Sequence, residues 1–141
     1  SVQADAAAKA AVRRTEGQLA AMAAALERFA GSAGCSLEAA EIRVDAEAAF
    51  YRTIAEASDN EYFVEFIQMI DAKLMENLRS VVVKNAMVAE TGAQVQAEHD
   101  EVYAAIRDRD AEEARLATRR HYEHAARRLA ERTDIGIAGT A

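Results

Sequence analysis

The stretch EHDEVYAAIRDRDAEEARLATRRH, residues 98–121, predicts two helices joined by a tight turn. Asp110 stands three residues before Glu113, the spacing at which a capping side chain and an acidic residue begin a helix. We therefore expect one helix to end near Asp108 and the next to begin at Ala111. These two elements predict an antiparallel helical hairpin, and the rest of the chain repeats the same signals.

Two of the three histidines lie almost symmetrically about this turn. His99 is about ten residues before the turn and His121 about eleven after it, so each stands ~15 Å from the hairpin tip at 1.5 Å of rise per residue. Val102 and Ile106 share the helix stripe of His99, and Ala117 shares that of His121. Both imidazoles are therefore predicted to face the interior. Such a pair is half of a metal site, although buried histidines held by hydrogen bonds are the commoner arrangement.

Helix starts recur along the chain, which contains no proline. Thr15 with Gln18, Ser58 with Glu61 and Thr91 with Gln94 repeat the capping spacing, and Ser36 is a plain cap. We predict an all-α, antiparallel bundle of about six helices over residues 1–132, followed by a frayed tail at 133–141. The predicted helices are 3–14, 16–30, 37–57, 60–89, 92–107 and 111–131.

Charge and composition exclude several classes of function. The net charge of −7 argues against nucleic-acid binding by this chain alone, and we interpret the paired arginines at 13–14, 119–120 and 127–128 as solvated faces. The single cysteine, Cys35, cannot form an internal disulfide. No stretch reaches the ~20 apolar residues that a membrane-spanning helix requires. We therefore expect one cytoplasmic domain with no membrane contact.

Two blocks carry a resemblance to a known family. FYRTIAEASDN, residues 50–60, followed by EHDEVYAAIRDRDAEEARLATRRHYE, residues 98–123, resembles the C-terminal effector-binding domain, FCD, of the FadR subgroup of GntR-type bacterial transcription regulators. The resemblance covers about residues 37–131. It implies a homodimeric sensor of a small metabolite, commonly an organic acid, that controls DNA binding by an N-terminal winged-helix domain. No residue matches a recognition helix, so we expect that domain to lie outside this chain.

The resemblance also implies a metal site. Many members of the family bind a divalent ion, such as zinc or nickel, through an Asp and a His four residues apart together with two later histidines. The matching positions are Glu47, Tyr51, His99 and His121, which predicts Glu47, His99 and His121 as metal ligands. Tyr51 departs from the pattern because a phenol loses its proton only near pH 10, and we predict it as a hydrogen-bond donor to the effector. A metal-free pocket that binds the effector directly is the alternative.

Two cations on the fourth predicted helix, Lys73 and Arg79, are candidate partners for an effector carboxylate. An exposed charge is the alternative for both, because lysine and arginine are seldom buried without a partner. Arg52 is as plausible on the surface as in the pocket, and we expect His124 to be solvated and Asp45 to point away from the site.

Two other functions compete with the sensor. One is a helical metalloenzyme with Glu47 as base, which we do not expect because the chain lacks the paired Glu-x-x-His motifs of di-iron bundles. The other is a dimerisation module without a ligand, which outward-facing histidines would favour.

Overall fold

The computed structural model describes residues 1–34, 36–76 and 92–140, and these ranges confirm the all-α prediction. They contain helices and no strand. In chain order the helices are α1 (Val2–Arg13), α2 (Glu16–Ala30), α3 (Leu37–Ala57), α4 (Glu61–Glu76), α5 (Gly92–Arg107) and α6 (Ala111–Thr140). No helix in the described ranges is both long and apolar enough to cross a membrane.

Capping side chains begin the helices at most of the predicted positions. Thr15 and Gln18 form the reciprocal capping box of α2, with both bonds at 3.0 Å. Ser36 accepts from the backbone of α3 at 3.1 Å, and Asp110 accepts from that of α6 at 3.0 Å. Each oxygen satisfies a backbone N–H that has no partner within its own helix.

The predicted cap of the fourth helix is wrong. Ser58 ends α3 instead, since its buried hydroxyl donates to the carbonyl of Ala55 at 2.6 Å. Asn60 begins α4, where its side-chain oxygen accepts from the backbone N–H of Tyr62 at 3.1 Å. Serine hydroxyls commonly bond backward in this way to a carbonyl in the preceding turn of the helix. Thr91, the other predicted cap, lies outside the described residues.

One predicted helix end differs from the structure, and another lies outside the described residues. α4 was expected to reach residue 89, and only its part up to Glu76 lies in the described residues. α6 continues to Thr140, so residues 133–140 are helical where we predicted a frayed tail. No proline interrupts this segment, and each of its two glycines destabilises the helix by only about 1 kcal/mol relative to alanine. The end predicted at 131 therefore fell short.

The packing of α1 and α2 brings α3 alongside the α5–α6 hairpin. α1 packs against α6, α3 and α5, and α2 packs against α3 and α5. The buried face of α1 is made of alanines, which allow its neighbours to approach closely. The core continues into larger side chains, among them Met22, Phe50 and Ile106. Residues of α3, α5 and α6 therefore meet in the interior.

Two arginines tie the tip of the hairpin to the first two helices. Arg14 donates through Nε to the carbonyl of Ile106 at 3.0 Å and through Nη2 to that of Arg107 at 2.6 Å. Arg109 donates to the carbonyl of Val12 at 3.0 Å. Arg14 is only 8% exposed, so its interpretation as part of a solvated face is wrong. Its N–H groups bond to carbonyls at the end of α5, where a positive charge is favourable.

Candidate metal and effector site

The structure brings the three predicted ligands together. Oε1 of Glu47, on α3, lies 3.3 Å from Nε2 of His99, on α5, and 4.0 Å from Nε2 of His121, on α6. One ligand atom from each residue lies within 4.8 Å of the others. Two ligands bound to zinc at ~2.1 Å in tetrahedral geometry stand ~3.4 Å apart. Small side-chain shifts would bring these separations onto one ion.

Glu98 fixes the orientation of His121. Its Oε1 lies 2.8 Å from Nδ1 of His121. Burial raises the pKa of Glu98, but hydrogen bonds from Arg128, His121 and His124 outweigh it and lower the pKa to about 2. The ionised carboxylate can only accept, so Nδ1 carries a proton. Burial and the nearby His99 lower the pKa of His121, which leaves Nε2 of the neutral ring with a lone pair toward Glu47. Carboxylates orient metal-binding histidines in this way.

His99 is fully buried and lacks a hydrogen bond. Its exposed fraction is 0%, and neither ring nitrogen has a hydrogen-bonding partner among the described residues. Oε1 of Glu47 lies 3.3 Å from Nε2, which is the distance of an ion pair but not a hydrogen bond. The ring instead packs edge-on against Phe29, with centroids 5.0 Å apart. Because a buried polar group without a partner is costly, an ion that accepts a nitrogen lone pair fits this site.

Glu47 completes the arrangement as a carboxylate. Burial raises its pKa, but the close approach of His99 and the electrostatic interactions with His99, His121 and Arg128 outweigh that effect and lower the pKa. Its side chain is 39% exposed, so it reaches from the buried histidines toward solvent. The carboxylate and the Nε2 lone pair of His121 are both acceptors, and they face each other with no proton between them. A cation satisfies both groups.

Tyr51 lies beside the candidate ligands and stays protonated. Its ring stacks on that of His121 at 21° and 5.9 Å, and its buried hydroxyl has no hydrogen-bonding partner in the described part of the chain. Burial, Tyr122, Glu47 and Glu98 raise its pKa well above the usual 10. The phenol therefore cannot act as an anionic ligand near neutral pH, but it can donate a hydrogen bond.

A cavity of about 530 Å³ adjoins the cluster. Glu47 and His121 lie on its wall, together with Arg43, Gln96 and Arg128. Its volume falls in the range of small-molecule sites. The remaining lining residues are mostly small or apolar: Phe29, Ala30, Ser32, Ala33, Gly34, Val44, Gly92, Ala93, Val95, Tyr122 and Ala125.

Comparison with known proteins places this architecture in one family. The family model of the FCD domain matches residues 1–124. The chain belongs to the FCD-domain family. This family is the C-terminal effector-binding domain of GntR-family regulators, which confirms the family inferred from residues 50–60 and 98–123; membership of the FadR subgroup stays a prediction. No curated protein matches the chain significantly.

Of the two cations predicted to bind the effector, Lys73 does not lie on the cavity wall of this FCD domain. Lys73 is 76% exposed, with its amino group 3.8 Å from the carboxylate of Glu76, and it is absent from the cavity wall. Arg79 lies outside the described residues. Arg52 is exposed. Asp45 lies away from the site, as predicted, and pairs with Arg28 on the surface. The part of Lys73 and Arg79 in effector binding stays a prediction.

Sequence reasoning misjudged two groups in the FCD domain and missed a third. Arg128 was assigned to a solvated face, yet it forms two 2.9 Å bonds to Glu98. His124 was expected to be solvated, and its half-exposed ring lies 3.1 Å from Glu98. Glu98 itself was not predicted, although it precedes His99 directly. The argument that places His99 level with His121 places Glu98 there too, and that signal could have found it.

Proposed function

We propose that this FCD domain senses an organic acid through a divalent metal held by Glu47, His99 and His121, and so controls DNA binding by an attached winged-helix domain. The family supports the sensing role, and the three side chains support the metal. Lone pairs of imidazole and a carboxylate oxygen suit zinc, nickel and similar ions.

The observation that carries the proposal is how protons and hydrogen bonds are distributed over the side chains that would bind the ion. His99 is fully enclosed and neither ring nitrogen has a hydrogen bond, while Nε2 lies 3.3 Å from the carboxylate of Glu47. Glu98 holds the proton of His121 on the far nitrogen, so that the near nitrogen faces the ionised Glu47. Without a cation, the His99 ring that lacks hydrogen bonds, the Nε2 lone pair of His121 and the carboxylate of Glu47 would lie together in one small volume. That arrangement is unfavourable.

The chain supplies the means of admitting an effector. Three protein ligands leave a coordination position that water or an effector carboxylate can complete. Glu47 and His121 both line the cavity, whereas His99 lies behind them in the core. The protonated phenol of Tyr51 is available as a hydrogen-bond donor beside this position.

Transmission of the signal requires that the bound state favour one arrangement of two subunits. An effector shifts such an equilibrium only by its difference in affinity for the two arrangements. The site spans α3 and the α5–α6 hairpin, and Arg14 ties the tip of that hairpin to the first turn between helices. In the proposal, movement of the hairpin on effector binding reaches α1, and through it the attached domain and the second subunit.

Metal analysis with matched variants tests the proposal. We expect purified or reloaded protein to hold about one zinc or nickel ion per chain. Glu47→Gln removes the ligand charge with little change of shape and should weaken binding at least ~10-fold, and His99→Gln should do the same. Asp45→Asn is the matched control, because it makes the same change on the same helix but outside the site. Failure of the wild type to bind an ion after reloading, or equal binding by Glu47→Gln and Asp45→Asn, would contradict the proposal.

A further inference from the structure

Arg43 is a cation of the cavity wall without a carboxylate partner. Its Nη1 donates to the carbonyls of Ser32 and Gly34, at 2.7 and 2.8 Å. Within the described ranges these are its only polar contacts, so Nε and Nη2 have no acceptor there. These two N–H groups form one edge of the planar guanidinium, the edge that matches the two oxygens of a carboxylate. The free edge therefore suits a carboxylate from a ligand.

The second arginine of the wall differs. Arg128 uses both terminal nitrogens on the two oxygens of Glu98, so its charge is already balanced. Arg43 keeps its charge in the cavity. A divalent ion bound to Glu47 retains one positive charge, and Arg43 adds a second. The described wall of the loaded site thus complements a dianion better than a monoanion.

Arg43 and the ligands are also suitably spaced. Arg43 stands one turn before Glu47 on α3, hence on the same face and ~6 Å away along the helix axis. Helical side chains lean toward the N-terminus, and the bonds to Ser32 and Gly34 carry the guanidinium further from Glu47. Val44 and Phe29 contribute apolar wall in the same cavity. A short carbon chain can therefore bridge the two charged ends.

We propose that Arg43 determines the class of effector and selects a dicarboxylate. One carboxylate completes the ion held by Glu47, His99 and His121, and the other forms a forked pair with Nε and Nη2 of Arg43. This inference rests on the proposed function, because the first carboxylate requires the ion. The inference can be tested separately from the proposed function, because the second carboxylate is bound by Arg43 and not by the ion.

Paired binding measurements test the role of Arg43. The zinc-loaded chain is titrated calorimetrically, at constant ionic strength, with malonate, succinate, glutarate and adipate, and with the monocarboxylates of equal carbon number. For at least one length we expect the dicarboxylate to bind ~10- to 100-fold more tightly, the range for a hydrogen-bonded charge pair. Arg43→Gln should reduce that ratio to within ~3-fold and leave monocarboxylate binding and zinc content unchanged.

Two further variants complete the test. Arg28→Gln makes the same charge change on α2 outside the cavity and should keep the wild-type ratio. Arg43→Lys keeps the charge and a donor for the loop carbonyls but lacks the fork, so an intermediate ratio is expected even if Arg43→Gln fails to fold. The inference is overturned if no dicarboxylate exceeds its monocarboxylate in the wild type, or if Arg43→Lys keeps the full ratio. Loss of zinc from the wild type overturns the proposed function as well, and the metal content identifies that case.

Discussion

Nδ1 of His121 lies 2.8 Å from Oε1 of Glu98, and this contact directs the opposite nitrogen of the ring toward Glu47. Glu98 is itself held by both terminal nitrogens of Arg128. The carboxylate therefore stands between a fixed cation and a candidate ligand. Its expected effect on metal binding follows from the tautomer and the ring position that it imposes on His121.

Removal of this carboxylate should weaken metal binding without removal of a ligand. We expect Glu98→Ala to lower zinc affinity by ~10- to 100-fold, the usual effect of losing a group that orients a ligand. Competition with a chromophoric chelator measures the change. Glu101→Ala is the control, because it removes an exposed carboxylate from the same helix as Glu98, one that pairs with Arg120 of α6. This variant should leave the affinity within ~2-fold of the wild type. Equal affinities for the two variants would show that Glu98 does not orient His121.

Substitution of Tyr51 by histidine should strengthen the site. Tyr51 stands one turn after Glu47, at the position where the family pattern has a histidine, and its ring lies against both histidine ligands. A neutral imidazole there offers a fourth donor, so we expect Tyr51→His to raise zinc affinity at least ~10-fold. Tyr51→Phe is the control: it should keep zinc affinity and weaken only effector binding. A tighter zinc site in Tyr51→Phe would point to relief of burial rather than to a new ligand.

The convergence of His99 and His121 could be predicted from helical periodicity, whereas Glu47 and Tyr51 were singled out by the resemblance to the family. The spacing of four residues places Glu47 and Tyr51 on one face, and the symmetric positions of His99 and His121 about the turn place them level. Periodicity does not fix how far each helix is rotated about its axis. The partners that depend on that rotation, such as Arg128 on Glu98, were therefore missed.

Two residues of the same type can lie in different environments, which also limits what a sequence can predict. Arg13 and Arg14 are adjacent and chemically equal, yet one is exposed and the other is buried against the carbonyls of α5. Arg43 was not singled out, because its distinguishing property is the absence of a carboxylate among its described contacts. Such properties arise from tertiary packing and not from spacing along the chain.

Acid should destabilise the metal-free protein partly through Glu98. Its pKa is about 2 in the folded protein and ~4.5 in an unfolded chain, so its contribution to stability is complete above pH ~4.5 and is lost as the pH falls toward 2. The shift corresponds to an upper value of roughly 3 kcal/mol. Urea unfolding of the chelator-treated chain at pH 6 and pH 3 measures the loss. Glu98→Gln, which cannot ionise, should lose less over the same interval, and an equal loss would assign the acid sensitivity to other groups.

Arg14 should contribute far more to stability than its neighbour Arg13. Arg14→Ala leaves the carbonyl of Arg107 without its side-chain donor and removes one of two donors from the carbonyl of Ile106, in a largely buried position. Hydrogen bonds to charged groups contribute about 1.5–3 kcal/mol each when buried. We therefore expect the free energy of unfolding to fall by roughly 2–4 kcal/mol. Arg13→Ala makes the same change one residue earlier, where the side chain is 56% exposed and lies 3.5 Å from Asp59, and it should cost less than about 1 kcal/mol. Urea unfolding at pH 7 compares the two. Similar losses would mean that the tip of the hairpin is held by Arg109 and packing alone, and that the proposed connection between the metal site and α1 does not pass through Arg14.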